Sequence, residues 1–80
     1  MEKEIIVSKL TAIFRDIFNN ENLVLTREMT ANDVEDWSSL THVLMIKQVE
    51  SVFAIKISLK ELNKLKNVGV LIDLIESKTL

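Results

Sequence analysis

Cysteine and proline do not occur in this chain of 80 residues, and glycine occurs once, at Gly69. Without cysteine there is no disulfide, no thiolate nucleophile and no cysteine zinc site. The redox compartment is left open. Without proline, and with a single glycine, the chain lacks the turn formers of an all-β fold and reads as helical. Histidine also occurs once, at His42, so no metal-ligand spacing can be assembled around it. No glycine-rich phosphate loop is present. Uninterrupted apolar runs are short, as over Val43 to Ile46, whereas a membrane span needs roughly 20 such residues. The first residues, Met1-Glu2-Lys3-Glu4, mix both signs and lack the form of a signal peptide. These absences together predict a cytoplasmic protein.

What remains is an ordinary globular composition, 48% hydrophobic and 28% charged, which excludes a disordered chain. Residues 1–80 read as one domain. A chain this small hides only about 60% of its unfolded surface, so its core must be efficient. Net charge is −2 but unevenly spread: residues 1–15 carry +1, residues 16–50 carry −5, and residues 51–80 carry +2. The acidic middle repels phosphate backbones and predicts no nucleic-acid partner. It would instead steer a basic protein surface. A monomer is expected, because the remaining faces look polar.

Taken in order, residues 3–18 show Ile6, Leu10, Ile13, Phe14, Ile17 and Phe18 at spacings of three and four, the stripe of an amphipathic helix. Ile5 broadens it. Asn19 and Asn20 end it, because asparagine competes for backbone hydrogen bonds. Residues 19–37 form a connection too long to be idle. Leu23, Leu25, Met29 and Val34 are its expected anchors, and Thr30 or Asn32 is placed to cap a short turn. Residues 39–53 read as a second helix, capped by Ser38, with Leu40, Val43, Ile46, Val49, Val52 and Phe53 inward and Leu44 outward. Residues 53–57 alternate like an extended connector whose isoleucines fill the core. Ser58 and Glu61 have capping-box spacing and open a short helix over about 59–65, with Leu59, Leu62 and Leu65 as core candidates. Asn67 caps a last helix over about 68–78, with Val68, Leu71, Ile72 and Ile75 inward. Gly69 there predicts close approach of a neighbour. The expectation is an all-α four-helix bundle: three longer helices, one short helix, and a long loop between helices one and two.

Asp36, Ser39 and His42 are spaced by three and superficially suggest an acid, a nucleophile and a base. A hydrolase also needs an oxyanion hole and a shaped pocket, and this chain offers neither glycines nor volume for them. Acid–base work by Asp33 and Asp36 lacks an enclosing wall.

The run Asp33-Val34-Glu35-Asp36-Trp37-Ser38-Ser39-Leu40-Thr41-His42-Val43 resembles the modification site of acyl carrier proteins. Phe53-Ala54-Ile55-Lys56-Ile57, the Glu61-Leu62 pair and Leu65-Lys66-Asn67-Val68-Gly69 are similar to the tail of the same family. The likeness spans roughly residues 5–78. It implies a carrier that catalyses nothing. A phosphopantetheinyl transferase would attach the 4'-phosphopantetheine arm of coenzyme A to Ser39. A loading ligase for acyl or aminoacyl groups, and downstream biosynthetic enzymes, would then use that arm. Asp36, Trp37 and Ser38 before the helix, and Leu40, His42, Val43, Leu44 and Glu50 along it, are the contact residues such partners would meet. Trp37 is also expected to clamp the loop.

The chain departs from the family pattern at two places. Aspartate usually precedes the modified serine, and here Ser38 stands there. Thr41, Leu44 and Ser51 occupy positions often acidic in the family, which shifts expected docking from charge towards apolar contact. The missing aspartate keeps a second reading open, an unmodified carrier-like domain acting as a noncovalent interaction module.

Overall fold

The stripe of Ile6, Leu10, Ile13 and Phe14 forms helix α1 over Lys3–Ile17 in the computed structural model, which describes residues 1–79. Its exit is a Schellman turn: Asn19 is left-handed at φ 52°, and Asn20 N–H reaches back to Arg15 O at 3.0 Å. A single 3₁₀ turn follows at Ala31–Asp33, then α2 over Ser39–Phe53, α3 over Leu59–Leu62 and α4 over Val68–Lys78. No strand occurs among the described residues. The expected bundle of three longer helices and one short one is therefore the architecture found.

Helix α1 is central and packs against both α2 and α4. Ile6, Leu10 and Phe14 meet Met45 and Val49 of α2 and Val68, Leu71 and Ile75 of α4 in a core where each is at most 2% exposed. Each such side chain contributes about 1.5–3 kcal/mol by leaving water.

The long connection is ordered by attachments at both ends. Arg15 Nε donates to Leu23 O at 2.8 Å, and Leu23 and Val34 are buried as expected. Thr30 caps the 3₁₀ turn, with the Asp33 carboxylate returning to Thr30 N–H at 2.9 Å. Further along, Met29 O accepts from Val68 N–H and Arg27 O accepts from Gly69 N–H, both at 2.9 Å. Asn67 Oδ1 takes Val70 N–H. The first three N–H groups of α4 thus all have partners, two of them in the loop. Gly69 is where the loop comes closest, as its composition predicted.

Five inward assignments are overturned. Ile5 is 45% exposed, since it lies about 140° around α1 from Leu10. Leu40 is 71% exposed, Val43 51%, Val52 39% and Leu59 78%. A ladder of threes drifts around a helix that turns about 100° per residue: Leu40 lies about 180° from Val49, and Val43 about 120°. The stripe that α2 buries instead runs through Ile46, Val49 and Phe53 with Met45 beside it. His42 stands four residues before Ile46 on the same side. Leu44 is exposed as expected. Leu59 is the first residue of a helix that stops after one turn at Leu62 rather than near 65, so only Leu62 and Leu65 reach the core. The connector after α2 behaves as expected: Ile57 is buried and Ile55 half-buried. Ala54 turns the chain at φ 54°.

Candidate site at the tip of the second helix

The start of α2 is built by three consecutive residues. Asp36 adopts a left-handed conformation, φ 69°, which aspartate tolerates better than most residues. That turn aims its carbonyl at the helix, where it accepts the Thr41 hydroxyl at 2.6 Å and Ser38 N–H at 3.1 Å. Trp37 packs inward, edge-on to Phe14 with centroids 5.3 Å apart and tilted against Phe18 at 5.4 Å. Its Nε1–H donates to His42 Nδ1 at 3.1 Å. Ser38 is the cap: its Oγ accepts Thr41 N–H at 3.4 Å, and Thr41 Oγ1 accepts Ser38 N–H at 2.7 Å.

Ser39 follows as the first helical residue and is exposed. The capping box runs through its neighbours and does not use its hydroxyl. Ser39 and Leu40 N–H stand in the first turn, where a helix has no internal acceptor to offer. No acidic residue lies in that turn. Ala31, Trp37, Ser38, Ser39, His42 and Val43 surround an open depression of about 560 Å³ in front of it. A smaller groove of about 170 Å³ lies behind His42 and Val43, lined also by Ile46, Lys47, Glu50, Ile57 and Leu62. A cavity of about 150 Å³ holds a benzene-sized group.

The structure therefore gathers Asp36, Trp37, Ser38, Ser39 and His42 at one tip. Asp36, Ser39 and His42 are not hydrogen-bonded to one another: His42 Nδ1 accepts from Trp37, and Asp36 engages Thr41 and Ser38 through its carbonyl. Leu40, Val43 and Leu44 make an apolar stripe running from the tip along the outer side of α2. Glu50 sits apart from the tip. Its Oε2 accepts Ile57 N–H at 2.8 Å and ties the connector to α2. Thr41 was missed as a building residue; the signal was its spacing of three from Ser38, masked because a threonine stands where a capping box usually has glutamate. Burial pushes the His42 imidazole below its ordinary range. Among the described residues no group of three potential ligands could hold a metal ion, and no helix is long and apolar enough to cross a membrane.

Three longer helices and one short one, with a long loop before the second, are the architecture of a carrier domain. The solution NMR structure of a holo acyl carrier protein from Geobacter metallireducens is similar to this chain with a TM-score of 0.85 and 49% sequence identity, over 90% of this chain and 83% of that one. This chain belongs to the acyl carrier protein family. No protein-family model and no curated protein matched it.

Proposed function

We propose that the protein is a carrier whose 4'-phosphopantetheine arm is attached at Ser39 Oγ, and that it presents tethered groups to partner enzymes without catalysing their reactions. The observation that carries this reading is the exposed Ser39 hydroxyl, outside the capping box, in a chain 49% identical to a holo acyl carrier protein. The residues fit the group. Ser39 and Leu40 N–H and the positive end of a helix 15 residues long face an incoming phosphate. When bound, the arm supplies a terminal thiol that holds an acyl or aminoacyl group as a thioester. Ser38 and Thr41 fix the first turn so that Ser39 projects outward. Leu40, Val43 and Leu44 offer apolar contact to a transferase or a loading ligase, and Asp36 an exposed charge beside it. Trp37 holds the loop off the hydroxyl by packing on α1.

Incubation with coenzyme A and a broad-specificity phosphopantetheinyl transferase, read by intact mass, should add one arm to the wild type and none to Ser39→Ala. No gain on the wild type with several transferases refutes the reading. Addition at Ser38 refutes the register. Ser38 in place of the family's usual aspartate favours one alternative, an unmodified module that binds partners noncovalently, and the same measurement decides between them.

A further inference from the structure

Beyond the partner contact that the resemblance implies, carrier function gives His42 no task, although it is the chain's one histidine and lies three residues from the attachment point. His42 and Val43 are the residues shared by the open depression at Ser39 and the groove between α2 and α3. His42 Nδ1 accepts the Trp37 Nε1–H at 3.1 Å, and the two rings lie 16° from parallel. An indole nitrogen can only donate. Nδ1 must therefore carry a lone pair, and the imidazole proton belongs on Nε2. Trp37 in turn packs on Phe14 and Phe18 of α1 and immediately precedes the cap. One chain of contacts thus runs from α1 through Trp37 to His42 and sets where residues 36–39 leave the bundle.

We propose that neutral His42 is a positioning residue for arm attachment at Ser39: it latches Trp37, and gaining a proton opens the latch. This rests on the reading of Ser39 as the attachment point. A proton on Nδ1 would set two N–H donors face to face. No neighbouring charge offsets that conflict. Lys47 and Glu50 of α2 share the groove as charges of opposite sign, and the Glu50 carboxylate is tied to Ile57 N–H. The facing wall, Ile57 and Leu62, brings no charge, and the aromatic contacts from α1 bring none. Asp36 beside Trp37 is exposed to solvent. Burial of the ring and the positive end of α2 both disfavour the imidazolium. The latch is therefore closed at neutral pH and opens as pH falls below the ordinary imidazole range.

The test pairs two measurements on the full chain between about pH 5 and 8. Nitrogen-15 NMR of the unmodified protein follows the imidazole nitrogens and the indole N–H, which is unambiguous because Trp37 is the only tryptophan. In parallel, the rate of arm transfer from coenzyme A is compared at each pH with that of His42→Asn. The asparagine carbonyl oxygen stands where Nδ1 does and accepts without titrating, and the transferase's own pH dependence cancels in the ratio. Expected are a proton on Nε2 at neutral pH and an indole signal that moves with the His42 titration, below 6.5. The wild-type rate should fall about fivefold relative to His42→Asn at the acid end, the worth of one net hydrogen bond. A proton on Nδ1, an indole signal indifferent to His42, or a flat rate ratio overturns the proposal. The NMR arm needs no variant and so decides even where His42→Asn folds poorly. If neither protein gains an arm at any pH while the indole still follows His42, the assignment of Ser39 has failed and the positioning role falls with it.

Discussion

Replacing Gly69 with alanine sets two magnitudes of opposite sign against each other. Helix propensity alone predicts a gain of about 1 kcal/mol. Space predicts a loss. A Cβ at position 69 would lie 3.0 Å from Arg27 O, 3.1 Å from Arg27 Cβ and 3.2 Å from Arg27 Cζ. The first of these is backbone. The last belongs to a guanidinium held on Asp73 by bonds of 2.8 and 3.2 Å, so it cannot swing aside freely. If the loop stays, the contact is overpacked, which costs about 1–3 kcal/mol. If the loop retreats, the bonds from Val68 and Gly69 N–H to Met29 and Arg27 O are lost, at about 1 kcal/mol each. The first route nets a loss of about 0–2 kcal/mol and the second about 1 kcal/mol, so a loss of about 1 kcal/mol is expected, roughly 4–8 °C in Tm for a chain of this size. Urea unfolding followed by the fluorescence of Trp37 measures it directly. In an Asp73→Ala background the guanidinium is released, and the penalty should shrink. A higher midpoint for Gly69→Ala than for wild type would refute the reasoning, because the loop would then yield at no cost.

Ala54 ends α2 in the left-handed region at φ 54°, which strains an L side chain by about 1–2 kcal/mol. Ala54→Gly relieves that strain and gives back about 0.4–1 kcal/mol in unfolded-state entropy, so the variant should be about 0.5–1 kcal/mol more stable in urea; a lower midpoint would count against the assigned turn. Hydrogen bonding from Ser58 N–H, and then from Lys78 at 3.0 Å, holds the Glu61 carboxyl down at about 2. Its contribution is complete above the ordinary 4.5 and is lost as pH falls from there towards 2. Glu61→Gln should therefore flatten the acid limb of the stability curve within that window, and an unchanged slope would show that the pair contributes nothing.

Most of the architecture was legible because α1 and α4 obey the spacing rule without ambiguity. Ile6, Leu10, Ile13 and Phe14 are all buried, as are Val68, Leu71, Ile72 and Ile75. Caps were equally readable at Ser38, Ser58 and Asn67, each an oxygen-bearing side chain directly before a periodic run. Helix α2 was misread because apolar residues occur on both of its sides. With Leu40, Val43 and Leu44 outside and Met45, Ile46 and Val49 inside, periodicity alone cannot choose a face. The choice is made by α1, whose aromatic residues draw Trp37, and through it His42, inward. The docking of the loop on α4 was legible only in outline, through Gly69. Backbone-to-backbone bonds from residues 27 and 29 leave no side-chain signature.

On the proposed reading, the contrast among three helix starts explains why that of α2 is the one suited to carry an arm. Helix α4 begins with Val68, Gly69 and Val70 N–H all satisfied, by Met29 O, Arg27 O and Asn67 Oδ1. Nothing is left there to meet an anion. Helix α3 is a single turn and carries the Glu61 carboxylate at its own start, so its end is already compensated. Helix α2 is 15 residues long, and its capping box is made entirely of hydroxyls. A glutamate at position 41 would cap Ser38 N–H equally well, but it would place a negative charge beside a phosphodiester on Ser39. Thr41 makes the same bond at 2.7 Å and adds no charge. The nearby Asp33 carboxylate is turned away onto Thr30. On the proposed reading, the attached phosphate then gains from the helix end, about 0.3–1 kcal/mol at an exposed site, less the solvent-screened repulsion of the Asp36 carboxylate at the same tip. On that reading, a first turn capped by hydroxyls instead of carboxylates leaves the attachment point electrostatically favoured, and docking there rests on the apolar stripe of Leu40, Val43 and Leu44.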